Sequence, residues 1–194
     1  MYDAVAPFGI TAPTQYADAS SVFGLTYDPA TDNTYTFTTK TAIRNIEPWG
    51  LQYSFTVDGN TVTDFADYGA VVLADKDGSF QEQGVSIENL LDNENSVMYS
   101  YSNSNVYSGE DGAIDVYYIN NILASDFDKN VYAVFFVQDE EGNIYYSDIV
   151  QNTYNGIAAS DTSEYKDVSK SITEYSTALA NYYALIEQAK SNNQ

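Results

Sequence analysis

The chain has 194 residues, of which 28 are acidic and seven are basic, so its net charge at pH 7 is −21. This charge excludes nucleic acid as a partner, because too few cations are present to neutralise phosphates, and it disfavours an anionic membrane surface. Cysteine and histidine are absent, which excludes thiol nucleophiles, Ser-His-Asp catalysis and the usual zinc sites. A hydrophobic content of 44% is enough for one good-sized domain with its own core.

The composition also bears on the compartment. An acidic chain that lacks cysteine and is rich in Tyr, Asn, Ser and Thr is typical of exported bacterial proteins, so we expect a secreted or cell-surface location. The first residues, MYDAVAPFGI, carry neither the basic nor the apolar region of a signal peptide, and we expect that a signal has been removed. No run approaches the ~18 apolar residues of a transmembrane helix, so we expect no membrane insertion.

Short strands separated by turns are predicted along most of the chain. Residues 1–20 contain Pro7, Gly9 and Pro13 and are expected to form a looped lead-in. The strands predicted after it are 21–25, 34–46 (one strand or a pair), 49–57, 68–74, 97–107 and 114–119. The clearest is 49–57, where Trp49 and every second residue after it are apolar, so we expect Trp49 in the core. Asp58-Gly59-Asn60 then predicts a hairpin turn. Residues 85–91 fit a helical turn or an edge strand equally well.

Residues 130–151 predict a hairpin that is buried on both faces. Its strands flank Asp139-Glu140-Glu141-Gly142, a polar turn that ends in glycine. Both faces are apolar, whereas a hairpin with one wet face alternates apolar and polar residues. One face carries Val131, Ala133, Phe135 and Val137; the other, in our interpretation, carries Tyr132, Val134, Phe136, Tyr145 and Ile149. A second sheet should cover the first face, and another element must cover the second.

A long amphipathic helix is predicted near the C-terminus. Asp161-Thr162-Ser163-Glu164 has the spacing of a capping box. Apolar residues then recur at intervals of three and four without glycine or proline, at Tyr165, Val168, Ile172, Tyr175, Leu179, Tyr182, Ile186 and Ala189. We expect this stripe to cover the second face of the hairpin; pairing in a coiled coil is the alternative. The predicted fold is mainly β, an antiparallel β-sandwich-like domain (1–157) with a long C-terminal helix (158–194) packed on the sheet as part of the same unit.

Four segments share features with a known family of modules: AIRNIEPWGLQYSFTV, DYGAVVLA, NVYAVFFVQDEEGNIYYSDIVQNTYNGIA and ALANYYALIEQ, which together span about residues 42–188. They resemble a recurrent β-rich module of large exported and surface proteins of gut Firmicutes. It implies a surface or secreted location in a multi-domain protein and carries over no catalytic residue. The chain departs from the pattern at Gln52, where the module usually has arginine, and in a long middle insertion.

Two acidic loops are candidate calcium sites, and we expect no cofactor other than calcium. Asp75 and Asp77 lie in one loop and Asp111 and Asp115 in the other, and carboxylates with carbonyls are the hard oxygen ligands that Ca²⁺ prefers. Neither loop fits the EF-hand register. A solvated turn is the alternative interpretation for both loops.

A run of tyrosines and asparagines is the candidate ligand site. On one continuous strand, Tyr99, Tyr101, Asn103, Asn105 and Tyr107 would share a face. Rings that stack on sugar faces, beside amides that bind hydroxyls, would make a glycan platform. The alternative is that the tyrosines pack locally as ordinary sheet residues.

These observations predict a non-catalytic extracellular or cell-surface module for adhesion, display or ligand recognition in a larger bacterial assembly. Its partner would be a glycan or another surface protein. A carbohydrate-binding module is the first alternative, and a structural or virion-associated protein is the second. A hydrolase with paired carboxylates is the third, although no signature supports it.

Overall fold

The computed structural model describes residues 25–44, 50–61, 64–101, 106–108, 114–120, 122–163 and 165–191, with backbone alone for 106–108 and 114–120. The strands form two antiparallel sheets. The first sheet has the order β1-β2-β6-β5 and consists of β1 (Phe37–Arg44), β2 (Gly50–Val57), β5 (Val106–Ser108) and β6 (Ile114–Asn120). The second has the order β4-β3-β7-β8, with β9 also paired to β7, and consists of β3 (Asp67–Asp75), β4 (Val97–Ser100), β7 (Asn130–Gln138), β8 (Ile144–Tyr146) and β9 (Val150–Asn152).

The helices of the described residues connect or follow these strands. They are α1 (Ser79–Gln83) and α2 (Ile87–Asp92) between β3 and β4, α3 (Tyr154–Ser160) after β9, and α4 (Lys166–Ser191). Short 3-10 turns lie at Pro29–Thr31 and Ala124–Asp126. The predicted fold class, an antiparallel sandwich-like body with a long C-terminal helix, is confirmed.

The core between the sheets is built from the alternating faces of the central strands. Leu51, Tyr53, Phe55 and Val57 of β2 and Val131, Ala133, Phe135 and Val137 of β7 are all buried there. The rings of Phe55 and Phe135 meet across the two sheets with centroids 5.0 Å apart. Each large side chain buried in this way favours folding by about 1.5–3 kcal/mol before entropy is subtracted. The alternation predicted for β2 and β7 is therefore confirmed, whereas Trp49 lies outside the described residues.

The second face of β7 is covered by the two short helices between β3 and β4. Tyr132, Val134 and Phe136 pack there with Phe80 of α1 and with Leu90 and Leu91 of α2, and the rings of Phe80 and Tyr132 are 4.9 Å apart. The prediction that the C-terminal helix covers this face is therefore wrong. The ambiguous segment that includes 85–91 forms part of the cover, because the connection from β3 to its neighbour β4 crosses the outer face of their sheet.

The return strand of the hairpin places its side chains differently from the prediction. The hairpin forms, with Gly142 at φ 88°, and its register sets Tyr146 opposite Phe136 and Tyr145 opposite Val137. Directly opposed residues share a face, so Tyr145 belongs to the core between the sheets, while Ile149 packs on the second face. The prediction for Tyr145 is wrong because the alternation alone does not reveal the register of the turn.

Helix α4 contacts the body through small residues near its N-terminal end. Ser169 and Ser176 are buried, Ile172 packs against the core between the sheets, and the helix lies against α3 and the Ala124–Asp126 turn. Most of its apolar stripe is exposed. The capping box takes another form: the Asp161 carboxylate accepts hydrogen bonds from Ser163 N at 2.8 Å and from the Ser169 hydroxyl at 2.5 Å, while Glu164 lies outside the described residues.

The turn at 58–60 forms but does not make a hairpin. Gly59 has φ 76°, and Asn60 N donates to Val57 O at 3.1 Å. Strand β3 nevertheless joins the other sheet, because β1 and β6 already occupy both edges of β2. The hairpin predicted from Asp58-Gly59-Asn60 is therefore wrong.

Candidate functional site

The first predicted calcium ligand, Asp75, caps a helix. It ends strand β3 and is buried, with 5% of its surface exposed. Its Oδ1 accepts a hydrogen bond from Phe80 N at 3.2 Å, and its Oδ2 accepts one from Gln81 N at 3.1 Å. Both carboxylate oxygens therefore bind free amides in the first turn of α1. In this placement the carboxylate holds the helix that covers Tyr132, and a calcium role for Asp75 stays a prediction.

Of the other predicted calcium ligands, Asp77, Asp111 and Asp115, the structure describes the side chain of Asp77 alone. Asp77 is exposed and accepts a hydrogen bond from Ser79 N at 3.0 Å; hydrogen bonds from the side chain and backbone of Ser79 lower the pKa of its carboxyl. Within the described ranges, no three acidic, histidine or cysteine residues are placed to hold a metal ion. Asp111 lies outside those ranges and Asp115 is described by backbone alone, so calcium at the second loop stays a prediction.

The tyrosine segment does not form one continuous strand. Strand β4 pairs with β3 in the five-stranded sheet, whereas β5 pairs with β6 in the other sheet. Tyr99 is buried in the core between the sheets, with 5% of its surface exposed. The flat platform predicted from alternation is therefore wrong in its geometry. Asn103 and Asn105 lie outside the described residues, and Tyr107 is described by backbone alone, so their binding role stays a prediction.

Tyr101 is the member of this set that the structure places at the surface. It is 57% exposed, and its ring stacks on that of Tyr68 with centroids 4.9 Å apart and planes inclined by 19°. Tyr68 itself is buried, and this burial, followed by the proximity of Tyr101 and Asp67, raises the pKa of its phenol. One face of the Tyr101 ring is thus supported by a fixed aromatic neighbour. Sequence reasoning missed Tyr68 because the apolar strand that contains it predicted only a core role.

The tip of the central hairpin holds a carboxylate that is fully engaged by its own turn. Asp139 accepts hydrogen bonds from Asn143 N at 2.8 Å, from Asn143 Nδ2 at 2.9 Å and from the Tyr145 hydroxyl at 2.9 Å. The Asn143 side chain first, and then its backbone and Tyr145, lower the pKa of Asp139. The same hydrogen bond raises the pKa of Tyr145. This arrangement closes the turn through hydrogen bonds to Asn143 and Tyr145.

Besides Tyr101, exposed apolar side chains lie on α4. Tyr175, Tyr182, Tyr183, Leu185 and Ile186 are each between 37% and 64% exposed. In the described part of the chain, no helix is long and apolar enough to cross a membrane. The candidate surfaces are therefore the Tyr68–Tyr101 stack on the body and this side of α4.

Comparisons of the chain with protein-family models, with curated proteins and with solved structures found no match.

Proposed function

We propose that this chain is a non-catalytic module of an extracellular or cell-surface bacterial assembly, in which the sandwich body serves recognition, adhesion or display and α4 serves assembly. The observation that carries the proposal is the closure of the body. The core between the sheets is filled by the chain's own side chains, and α1 and α2 cover the outer face of β7. In its described part, such a body offers ligands its surface and loops.

The buried or hydrogen-bonded carboxylates support a role without catalysis. Asp75 and Asp139 are bound by backbone amides and neighbouring side chains of their own turns. A glycosidase needs two carboxyl groups that face one substrate, one of them in a setting that raises its pKa. Among the described carboxylates with a shifted pKa, those of Asp77, Asp139 and Asp161 are lowered. The absence of cysteine, the acidic composition and the family resemblance support an extracellular setting.

Carbohydrate binding is the second candidate, and the Tyr68–Tyr101 stack favours it. A pyranose presents an apolar face that packs on an aromatic ring. Tyr101 offers such a ring, and its stacking on Tyr68 reduces the freedom that the side chain would lose on binding. An anchored aromatic of this kind typically contributes about 1–3 kcal/mol when it is a central contact.

A binding screen against plant and host glycans, with and without Ca²⁺, separates these functions. For any glycan that binds, Tyr101→Ala should weaken affinity by about ten-fold or more, while Tyr183→Ala, which removes an equally exposed tyrosine on α4, should leave it unchanged. Equal effects of the two variants would reject the Tyr101 site. Release of shortened sugars would reject the non-catalytic role, and ordered assembly without any glycan partner would favour a structural protein.

A further inference from the structure

The apolar stripe of α4 and the residue before it has a strict heptad spacing. Tyr165, Val168, Ile172, Tyr175, Leu179, Tyr182, Ile186 and Ala189, which we name the seam, follow one another at alternating intervals of three and four residues. These are the a and d positions of a heptad repeat with period 3.5, which is the pattern of a helix that pairs with another helix. A helix that lies on a sheet needs only the broader 3.6-residue periodicity.

The seam is largely uncovered by the chain's own body. Ile172 packs against the core between the sheets, but Tyr175 and Tyr182 are each 58% exposed and Ile186 is 37% exposed. The side of α4 that does meet the body is formed by Ser169 and Ser176, which are e positions of the same heptads. The seam from Tyr175 to Ile186 is therefore exposed enough to meet a partner.

The charge distribution favours contact through α4 over contact through any other part of the chain. Three of the 28 acidic and three of the seven basic residues lie in α4, which is therefore neutral, while 25 acidic and four basic residues lie elsewhere. Two of its lysines pair within the helix, Lys170 with Glu174 at 3.7 Å and Lys190 with Glu187 at 2.6 Å. Two copies can approach along neutral helices, but their bodies repel each other.

We propose that the seam pairs with the seam of a second copy of this chain in an antiparallel two-stranded coiled coil. An antiparallel arrangement places the two acidic bodies at opposite ends of the helix pair. In an antiparallel pair, each a position of one helix packs against a d position of the other. The register that brings the exposed parts of both seams together places Tyr175 against Ile186, and Leu179 against Tyr182, of the second copy. This inference rests on the assembly role that the proposed function gives to α4, and it is independent of what the body binds.

The exposed area is sufficient for a weak but specific pair. An aromatic side chain buries roughly 150–250 Å² when it is covered, and Tyr175, Tyr182 and Tyr183 are more than half exposed, as is Leu185. With Ile186 and Leu179 included, two copies would bury about 1,000 Å² in total, which is the lower limit for a specific interface. We therefore expect a dissociation constant in the range of about 1–50 µM rather than an obligate dimer.

Sedimentation velocity of the full chain over a concentration series tests the pairing. The chain should change from its 21.4 kDa monomer to a dimer as concentration rises through the micromolar range. The double variant Tyr182→Lys/Ile186→Lys should weaken association by at least about 30-fold, because it places charges in the seam. The control Asn181→Lys/Gln188→Lys makes the same charge change at two c positions of the helix and should associate like the unmodified chain.

Two results would overturn the pairing. If the chain stays monomeric up to about 0.5 mM, well above the expected dissociation constant, the seam does not pair with a second copy. Its partner would then be a helix of a different protein or module. Equal weakening by the seam variant and its control would show that net charge, not the seam, governs association. Circular dichroism of each variant checks that the helix is intact.

Disulfide cross-linking tests the orientation, since the chain has no cysteine of its own. When Tyr175→Cys and Ile186→Cys chains are mixed and oxidised, the antiparallel register predicts mostly mixed disulfides between the two variants. A parallel pair would instead give disulfides between identical variants, and that result would reject the antiparallel arrangement.

Discussion

Substitution of Asp75 distinguishes a structural cap from a metal ligand. Asp75→Ala removes the acceptor for two amides, Phe80 N and Gln81 N, at the start of the helix that covers Tyr132. Hydrogen bonds to a charged group contribute about 1.5–3 kcal/mol each, and an N-cap contributes about 0.5–2 kcal/mol. Because these contributions overlap, we expect the free energy of unfolding to fall by about 3 kcal/mol.

Urea unfolding followed by circular dichroism measures this loss, and Asp77→Ala is the matched control. Asp77 lies two residues away, is exposed and accepts one hydrogen bond from the Ser79 backbone, so its removal should cost no more than about 1 kcal/mol. The experiment is repeated with about 5 mM CaCl₂, a concentration that saturates extracellular-type calcium sites. Equal stability of the two variants, or stabilisation by calcium that Asp75→Ala abolishes, would refute the cap.

Two further predictions test the packing of β4 and the burial of the tyrosines. Gly69→Ala should unfold the protein or lower its free energy of unfolding by more than about 3 kcal/mol, because the new Cβ would lie 1.9 Å from Tyr99 O. The control Gly59→Ala, at φ 76° with no atom within 4 Å of the new Cβ, should lower it by only about 1 kcal/mol in urea unfolding. A mild effect of Gly69→Ala would contradict the close contact between β3 and β4. Burial raises the pKa of Tyr146 and Tyr154, so their contribution to stability should be complete below about pH 10, the unfolded value, and be lost as pH rises through the folded values. Tyrosinate absorbance that appears near pH 10 in the folded chain and is missing from the Tyr146→Phe and Tyr154→Phe variants would contradict their burial.

The sequence predicts those elements of the fold in which the pattern of apolar residues matches the pattern of buried side chains. Strand β2 alternates over eight residues, β7 is apolar along nearly all of its nine residues, and α4 repeats over 26, so each pattern identifies its element. The cover of the second face was missed because α1 and α2 have five and six residues, which is too short for a helical period to be visible. The long helix has the more visible apolar pattern, so the sequence favours it as the cover of that face.

The candidate sites were harder to predict because the same residues serve structure and binding. The sequence predicts a calcium loop or a solvated turn at Asp75-Lys76-Asp77-Gly78-Ser79, and only the structure reveals that Asp75 accepts hydrogen bonds from Phe80 N and Gln81 N. Alternating tyrosines look the same on one strand or on two strands in different sheets. Tyr99 and Tyr107 lie in different sheets, a topological fact that local spacing does not carry.

The central claim is that the sandwich is complete without the exposed part of α4, which is free for assembly. The most direct measurement compares the thermal unfolding of the full chain with that of a chain ending at Thr177, both at about 1 µM, where the proposed dimer is largely dissociated. Residues 178–191 are almost all exposed, so the midpoint should change by less than about 2 °C. A fall of about 10 °C or more, the size expected if several buried side chains were lost, would show that α4 covers the sheet and would contradict the claim.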